Sequence, residues 1–403
     1  MRWIGVIAAL MAVSCTGPDD GVDPDPDVDE RAASIPTGNR EPVSDDAPVQ
    51  SGQVWTGTLG GLPITACFDD PETMEGIYYY DAHLRPLRLV QIDEAAPNVL
   101  TEIEGFSDLS GATWTIDDMG EERMSATWRN DDRALPIALN ASQVEVGGEL
   151  GGSCQSAQFV EPLLVGGSVR ESAATLVGIE YTKRNYTGPA HLGDDEYLVE
   201  TIALDPIQAG DPAINAALAK TLPDGTVDHV MGECIAWHMP AGGTGYLTET
   251  LIPTLITQRW LSVDRVGSTF CGGAHPSHFF TAAIYDRFDG TEADPSTWFK
   301  PDALVFYEFE DETDPASKRP VAGLSPSLVT KVELNWPEED GGECHHVPES
   351  GMGWTLGLAK DGVVFIPQLP HVIFACTAAV TIPWNELDPF LSETGHDVRA
   401  SLQ

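Results

Sequence analysis

Short strand-like runs between Ser51 and Phe159 are the feature that most limits how this chain can fold. The runs share β-branched and aromatic residues in alternation, and Gly, Pro, Asp and Asn separate them. They are Gln53–Thr58, Ile64–Phe68, Ile77–Tyr80, Leu87–Val90, Val99–Ile103, Ala112–Ile116, Ser125–Arg129 and Leu135–Leu139. No long helical period interrupts them. Residues 51–160 are therefore predicted to form an antiparallel all-β domain, either a sandwich or a barrel.

Aromatic residues in these runs allow two interpretations. Alternation along a strand places Tyr78 and Tyr80 on one face and Tyr79 on the other. Together with Trp114 and Trp128, they could form a stacking platform for sugar rings. Aromatic side chains in short strands more often fill a core or form cross-strand pairs, so we favour the core interpretation.

The second half of the chain mixes strand and helix patterns. Strands are predicted at Leu176–Lys183, Tyr197–Leu204, Tyr246–Thr257 and Trp260–Val266, and helices at Asp211–Lys220, around Cys234, at Ser325–Leu334 and at Trp384–Leu391. The helix at Asp211 is the clearest, with Asp211 as its N-cap and Pro212 in its first turn. Residues 165–403 are predicted to form an α+β domain with an antiparallel sheet and a few helices. The predicted fold class of the whole chain is α+β.

The N-terminus has the pattern of an export signal. Arg2 precedes the apolar run Ile4–Val13, which is shorter than the roughly 20 residues of a membrane-spanning helix. The run ends in MAVSC, which resembles the lipobox of bacterial lipoproteins with Ala12 in place of the usual leucine. Residues 1–14 are predicted to be a lipoprotein signal peptide and Cys15 the acylated residue. The alternative is ordinary secretion with an incidental cysteine.

This resemblance implies a lipid-anchored protein of the bacterial cell envelope, at the outer membrane. Residues 15–50 are predicted to form a disordered acidic linker, since the stretch TGPDDGVDPDPDVDE alternates Asp with Pro and Gly.

The remaining cysteines suggest disulfides. Without Cys15, the seven cysteines leave Cys67, Cys154, Cys234, Cys271, Cys344 and Cys376. An even number in an exported chain predicts three disulfides, and six cysteines allow fifteen pairings, among which the sequence does not choose. We expect the sequential pairing, in which each disulfide closes a loop within one domain. No CxxC motif supports a thioredoxin-type or zinc-knuckle site.

The net charge of −42 limits the partners. A strongly acidic surface repels nucleic acid and anionic membrane faces and attracts cationic proteins. Solubility, or adaptation of a whole proteome to salt, would explain the same charge.

The stretch Ser268–Phe299 contains the motif CGGAHP. Gly272 and Gly273 suit a bend with positive φ, and His275 before Pro276 is biased to extended backbone. This motif, formed by Cys271, Gly272, Gly273, Ala274, His275 and Pro276, resembles the hallmark of the RsiV-type extracytoplasmic domain. That domain forms the outer part of lysozyme-sensing anti-sigma factors, and a related one accompanies some peptidoglycan deacetylases. The resemblance spans about Leu176 to Leu391.

The resemblance implies a non-catalytic binding module whose ligand is a lysozyme-like protein or a peptidoglycan-type glycan. The sequence has no G-x-S-x-G, no S-x-x-K with its partner motifs and no H-E-x-x-H. We therefore predict no catalytic residue, no metal and no cofactor. A structural envelope protein is one alternative. The other is a cell-wall glycan hydrolase or deacetylase.

Histidines are the residues on which that enzymatic alternative depends. His275 and His278 form H-P-S-H, and His345 and His346 follow Cys344. A zinc site needs three or four ligands in a defined geometry, and Pro276 makes a helical pair unfavourable. We expect His275 to fix the glycine bend by hydrogen bonds. His345 and His346 are expected in a solvated loop beside a disulfide.

Overall fold

The computed structural model describes residues 50–68, 75–105, 108–131, 133–146, 152–193, 196–309, 319–337, 344–349 and 353–402. The predicted signal peptide, Cys15 and the linker up to residue 49 lie outside these ranges. No helix among the described residues is both long and apolar enough to cross a bilayer. The described residues belong to one compact unit, and the domain boundaries given above stay a prediction.

The first part of the described chain is a closed eight-stranded antiparallel barrel. Its strands are β1 (Gln50–Leu59), β2 (Leu62–Phe68), β3 (Gly76–Tyr80), β4 (Leu87–Val90), β5 (Val99–Glu104), β6 (Asp108–Met119), β7 (Arg123–Asn130) and β8 (Arg133–Val146). Each strand pairs with the next, and β1 pairs with β8 to close the ring. Of the two folds that the alternating runs allowed, the structure has the barrel.

Large side chains fill the barrel. Trp55, Tyr78 and Trp114 are at most 1% exposed, as expected for eight strands, whose interior is just wide enough for side chains. Glu102 is also buried and accepts hydrogen bonds from the Tyr78 hydroxyl and from Trp128 Nε1. Burial, together with the charge of Glu102, raises the pKa of Tyr78. The core interpretation of these aromatics is the one that agrees with their burial.

A six-stranded sheet follows the barrel, with the order β14-β13-β12-β11-β10-β9. Its strands are β9 (Ser168–Leu176), β10 (Ile179–Thr187), β11 (Tyr197–Leu204), β12 (Tyr246–Ile256), β13 (Trp260–Phe270) and β14 (Ser277–Asp286). The α-helices are α1 (Ala157–Val160), α2 (Asp211–Ala219), α3 (Val230–His238), α4 (Pro326–Leu334), α5 (Trp384–Leu387) and α6 (Glu393–Ser401). The pair β11–β12 is parallel, with α2 and α3 in the connection.

Two small sheets complete the fold. They are a ribbon of β15 (Leu304–Phe309) with β16 (Arg319–Leu324), and a sheet of β17 (Trp354–Leu358), β18 (Gly362–Pro367) and β19 (Val380–Pro383). The small sheet packs on β13 and β14, where the Leu358 amide donates to the hydroxyl of Ser262. Side chains of α4, α5, α6 and the small sheet share one apolar core with Trp260 and Ile284.

The predicted α+β fold class is wrong. Strands hold 47% of the described residues and helices 22%, and the structure is mostly β. The four helices predicted in the second half are present, but the helices there have at most nine residues, whereas β12, β13 and β14 have ten or eleven. Helix signals are local and are easily recognised in a sequence, whereas the pairing of long strands is nonlocal. The predicted fold class therefore overestimated the share of helix.

Asp211 has a different role from the predicted one. The N-cap of α2 is Gly210, and the carboxylate of Asp211 accepts the backbone N–H groups of Ile207 and Gln208. The same carboxylate makes a bidentate pair with Arg287, at 2.8 and 2.9 Å. Both side chains are buried, and the pair ties the start of α2 to the end of β14.

The structure contains three disulfides in the sequential arrangement: Cys67–Cys154, Cys234–Cys271 and Cys344–Cys376. The first joins β2 to the segment before α1, and the second joins α3 to the loop after β13. Beside the first, α1 packs on the outside of the barrel, where the ring of Tyr79 lies 5.0 Å from that of Phe159. The three bridged segments do not overlap in sequence.

Candidate functional site at the glycine corner

The loop Cys271–Pro276 joins β13 to β14, and we call it the corner. Gly272 and Gly273 have φ of 108° and 91°, a region that side chains with a Cβ rarely adopt. A Cβ on Gly272 would also lie 3.2 Å from the carbonyl oxygen of Trp237. Gly272 is thus required twice, by its backbone conformation and by the close approach of α3.

A disulfide fixes the corner to α3. Cys271 is bonded to Cys234, and the next turn of α3 carries Trp237 and His238. The ring of His238 is buried and packs edge-on against Phe270, with 4.9 Å between centroids. Trp237 is 48% exposed. The corner therefore has a rigid base from which one large aromatic side chain projects.

Three imidazoles stack at the side of the corner. The ring of His371 lies between those of His275, 4.4 Å away, and His278, 5.3 Å away. The ring planes differ by 8° and 9°. Phe374 extends the stack on His278 at 5.3 Å. His371 and Phe374 belong to the 3-10 helix His371–Cys376, so the stack attaches the corner to a segment almost a hundred residues further along the chain.

The geometry of the stack does not suit a metal ion. In nearly parallel rings the nitrogen lone pairs lie in separate parallel planes and do not converge on one ion. No group of three or more potential ligands able to hold a metal occurs in the described ranges. The Nδ1 of His371 is buried without a hydrogen-bond partner. Loss of water around the ring lowers the pKa of His371, and the charges of His275 and His278 lower it further.

The remaining motif residues and the histidines beside Cys344 lie at the surface. Gly273, Ala274 and His275 are exposed. The Nδ1 of His275 lies 3.0 Å from the carbonyl oxygen of Pro276, which is a hydrogen bond between neighbouring residues of the corner, and the expectation that His275 fixes the glycine bend stays a prediction. His345 and His346 are exposed beside Cys344, as expected for a solvated loop.

Three members of this surface have no signal in the local sequence. Trp237, His371 and Phe374 come from α3 and from the 3-10 helix, and only the tertiary fold brings them to the corner. The pairing of Cys234 with Cys271 was the one available hint that α3 lies under the motif.

Asp264 is a further titratable group on the same sheet. It lies on β13 between Ile252 and Ala282, and burial raises its pKa from 3.8 to about 6. Because the folded chain holds this proton more tightly than the unfolded chain, stability falls as the pH rises from about 4 to 6. Above that window the charged carboxylate carries its full desolvation cost.

Replacing Asp264 with asparagine should remove this cost. We expect Asp264→Asn to stabilise the protein by about 1 to 2 kcal/mol at pH 8, after allowance for partial exposure, with little gain at pH 4. Urea unfolding at the two pH values measures the difference. Asp289→Asn, at an exposed turn, is the control and should gain nothing at pH 8. An equal effect of Asp264→Asn at both pH values would contradict the assignment.

Comparison with known proteins gives a limited result. No family model matches the sequence, and no curated protein matches it. The structural neighbours are DUF3298 family proteins. One is from Pseudomonas aeruginosa PAO1, at 13% identity and a TM-score of 0.34, covering 57% of this chain and 97% of its own. Another is from Bacteroides fragilis, at 11% identity and a TM-score of 0.34, covering 59% of this chain and 96% of its own.

Proposed function

We propose that this chain is a non-catalytic binding protein of the bacterial cell envelope, anchored through Cys15, with an RsiV-type domain as its recognition part. Its partner is a cationic protein of the lysozyme class. The binding surface is the corner surface, which consists of Trp237, Gly272, Gly273, His275, His278, His371, Val372 and Phe374.

The exposed indole of Trp237 is the observation that carries this proposal. Tryptophan is the residue type most enriched among side chains that dominate binding energy at protein interfaces. Val372, at 83% exposure, and the exposed imidazole of His275 add apolar and aromatic area. The disulfide Cys234–Cys271 and the two glycines with positive φ fix the backbone between them. A rigid surface loses little conformational entropy on binding.

Charge complementarity supports a cationic partner. The chain carries a net charge of −42, while the segments Cys271–Pro276 and Pro370–Cys376 contain no Asp, Glu, Lys or Arg. The acidic protein thus attracts a basic protein over long range, and an uncharged aromatic surface receives it. The long-range attraction makes association fast and dependent on salt. The contacts with the uncharged surface contribute binding energy that salt does not screen.

Trp237→Ala tests the surface. We expect the dissociation constant for a cationic lysozyme to rise at least about tenfold, since truncation of a central aromatic anchor commonly costs 2 kcal/mol or more. The matched control is Phe288→Ala. Phe288 is 50% exposed at the opposite end of β14, and its truncation should leave the affinity within about twofold. Binding is measured by calorimetry at low salt and repeated at high salt.

Three other outcomes are informative. Equal losses in both variants would place the binding surface elsewhere. Binding to purified cell-wall sacculi but not to lysozyme would replace the protein partner with a glycan. Binding to neither at low salt would leave a structural envelope protein and overturn the proposal.

A further inference from the structure

The three stacked imidazoles join two segments that no disulfide connects directly. The corner is bonded to α3 through Cys271, and the 3-10 helix is bonded through Cys376 to Cys344. Between corner and helix lie the rings of His275, His371 and His278, with centroid distances of 4.4 and 5.3 Å. The stack is therefore a contact through which protonation can act on the position of the corner.

Protonation changes the interaction between the stacked rings from attractive to repulsive. Neutral imidazoles stack favourably, as other aromatic rings do in offset arrangements. Two imidazolium rings face to face repel each other, and a central cation between two others is opposed from both sides. The pKa of His371 is already lowered by the removal of water and by its two neighbours. Its Nδ1 is buried without a partner, so a proton there gains no hydrogen bond within the described structure.

Few charged groups face the stack. The corner and the 3-10 helix carry none besides His275 and His371, and the third histidine of the stack, His278, lies on β14. On β13, Ser268 is the partner of His278, and Asp264 lies on the same face four residues along, about 13 Å away. Arg265 lies on the opposite face, where it pairs with Glu249.

The underlying α3 contributes the buried His238, whose pKa burial lowers, and Glu233. No ion pair with a carboxylate within 4.0 Å holds His275, His278 or His371 among the residues that the structure describes. Among the described residues, no carboxylate within ion-pair distance compensates the charges that acid would add.

We propose that the corner surface is gated by acid: the neutral stack holds the corner against the 3-10 helix, and protonation of two or more rings separates them and releases the bound cationic protein. The release rests on the proposed function, and the separation of the stack does not. Protonated His275 and His278 also place positive charge on the binding surface itself, which opposes a basic partner.

A pH series of binding tests the release. At constant ionic strength, we expect the dissociation constant of the full chain for a cationic lysozyme to rise at least about tenfold between pH 7.5 and pH 5.5. His371→Phe keeps an aromatic ring in the stack but removes its central titrating group, and should reduce that rise to about threefold or less. His396→Phe is the matched control. His396 is half-exposed on α6, and its variant should follow the wild-type profile.

NMR tests the stack independently of any partner, with selective labelling of histidine rings and glycine amides. We expect His371 to titrate below the ordinary range of a histidine, and the amide signals of Gly272 and Gly273 to shift over the pH range in which the imidazole signals change. Gly272 and Gly273 signals that stay unmoved while the His371 ring signals titrate would overturn acid gating even if lysozyme binds at pH 7.5. If lysozyme binds at no pH, the proposed function fails, and the NMR titration alone decides whether the stack separates. A pH profile of binding unchanged by His371→Phe would also overturn the gating.

Discussion

Replacing Asp211 with alanine is expected to lower the free energy of unfolding by about 3 to 5 kcal/mol, because it leaves the Arg287 guanidinium buried without its counter-ion. Asp211 is fully buried, and Arg287 is 3% exposed. The carboxylate receives both guanidinium hydrogen bonds and two backbone N–H groups. The variant loses all four at once. Chemical denaturation at pH 7 measures the loss.

The control for this prediction is an ion pair at the surface. Glu171 pairs with Arg184 at 2.9 Å, but its side chain is 58% exposed, so Glu171→Ala should cost no more than about 1 kcal/mol. A loss below about 1 kcal/mol for Asp211→Ala would show that the buried pair does not stabilise the junction of α2 with β14.

The same pair should contribute to acid sensitivity. Burial alone would raise the pKa of Asp211, but the hydrogen bonds from Arg287, Gln208 and Ile207 and the charge of Arg287 outweigh it and lower the pKa. A lowered pKa gives stability that is present above about pH 4 and is lost as the pH falls through the folded value. The difference between wild type and Asp211→Ala should accordingly shrink at strongly acid pH.

Removal of the disulfide Cys67–Cys154 is the second large effect. The bond spans 87 residues, and the chain-entropy model assigns about 4 to 5 kcal/mol to a loop of that length. Both cysteines are at most 1% exposed, so Cys67→Ala/Cys154→Ala avoids burying new thiols. We expect its unfolding free energy to fall by about 4 kcal/mol, measured by denaturation under non-reducing conditions.

Cys344→Ala/Cys376→Ala is the matched comparison, since that disulfide spans 32 residues. The same model expects a loss about 1 kcal/mol smaller than for the first pair. Equal or reversed losses would indicate that native contacts around each bond, and not the length of the closed loop, determine the effect.

The strands of the barrel could be predicted, but its closure could not. Alternation at Ile77–Tyr80 identified β3 and the faces of its three tyrosines, because a period of two is visible within five residues. Closure depends on the pairing of β1 with β8, for example Trp55 with Ala141, and no local pattern encodes that contact. The parallel register of β11 with β12 is nonlocal in the same way.

The last helix was missed for a different reason. In α6 the sequence ETGHDVRAS is mostly polar and contains one large apolar residue, Val398. Gly395 lies so close to the Trp298 carbonyl that a Cβ would be 2.2 Å from it, and the side chain of Ser392 caps the first turn. Tertiary packing and a cap stabilise this helix, and a single apolar side chain is too weak a pattern to predict it from the sequence.

The candidate site could be predicted only at its centre. The double glycine and His275 were visible as a motif, because a bend with positive φ has a composition of its own. The surface around them depends on Trp237 and His371, whose positions follow from the packing of α3 and the 3-10 helix against the corner. No local sequence pattern shows that these aromatic and imidazole side chains, which are distant in sequence, lie at the corner.

The absence of overlap among the three bridged segments bears on how the chain can mature. When a polypeptide enters an oxidising compartment N-terminus first, Cys154 arrives while Cys67 is present and Cys234 has not yet entered. In the same way, Cys271 arrives after Cys234 and before Cys344 has entered. If Cys15 is acylated as proposed, every newly delivered partner is then the correct one. Oxidation in order of arrival yields the native connectivity without a reshuffling enzyme.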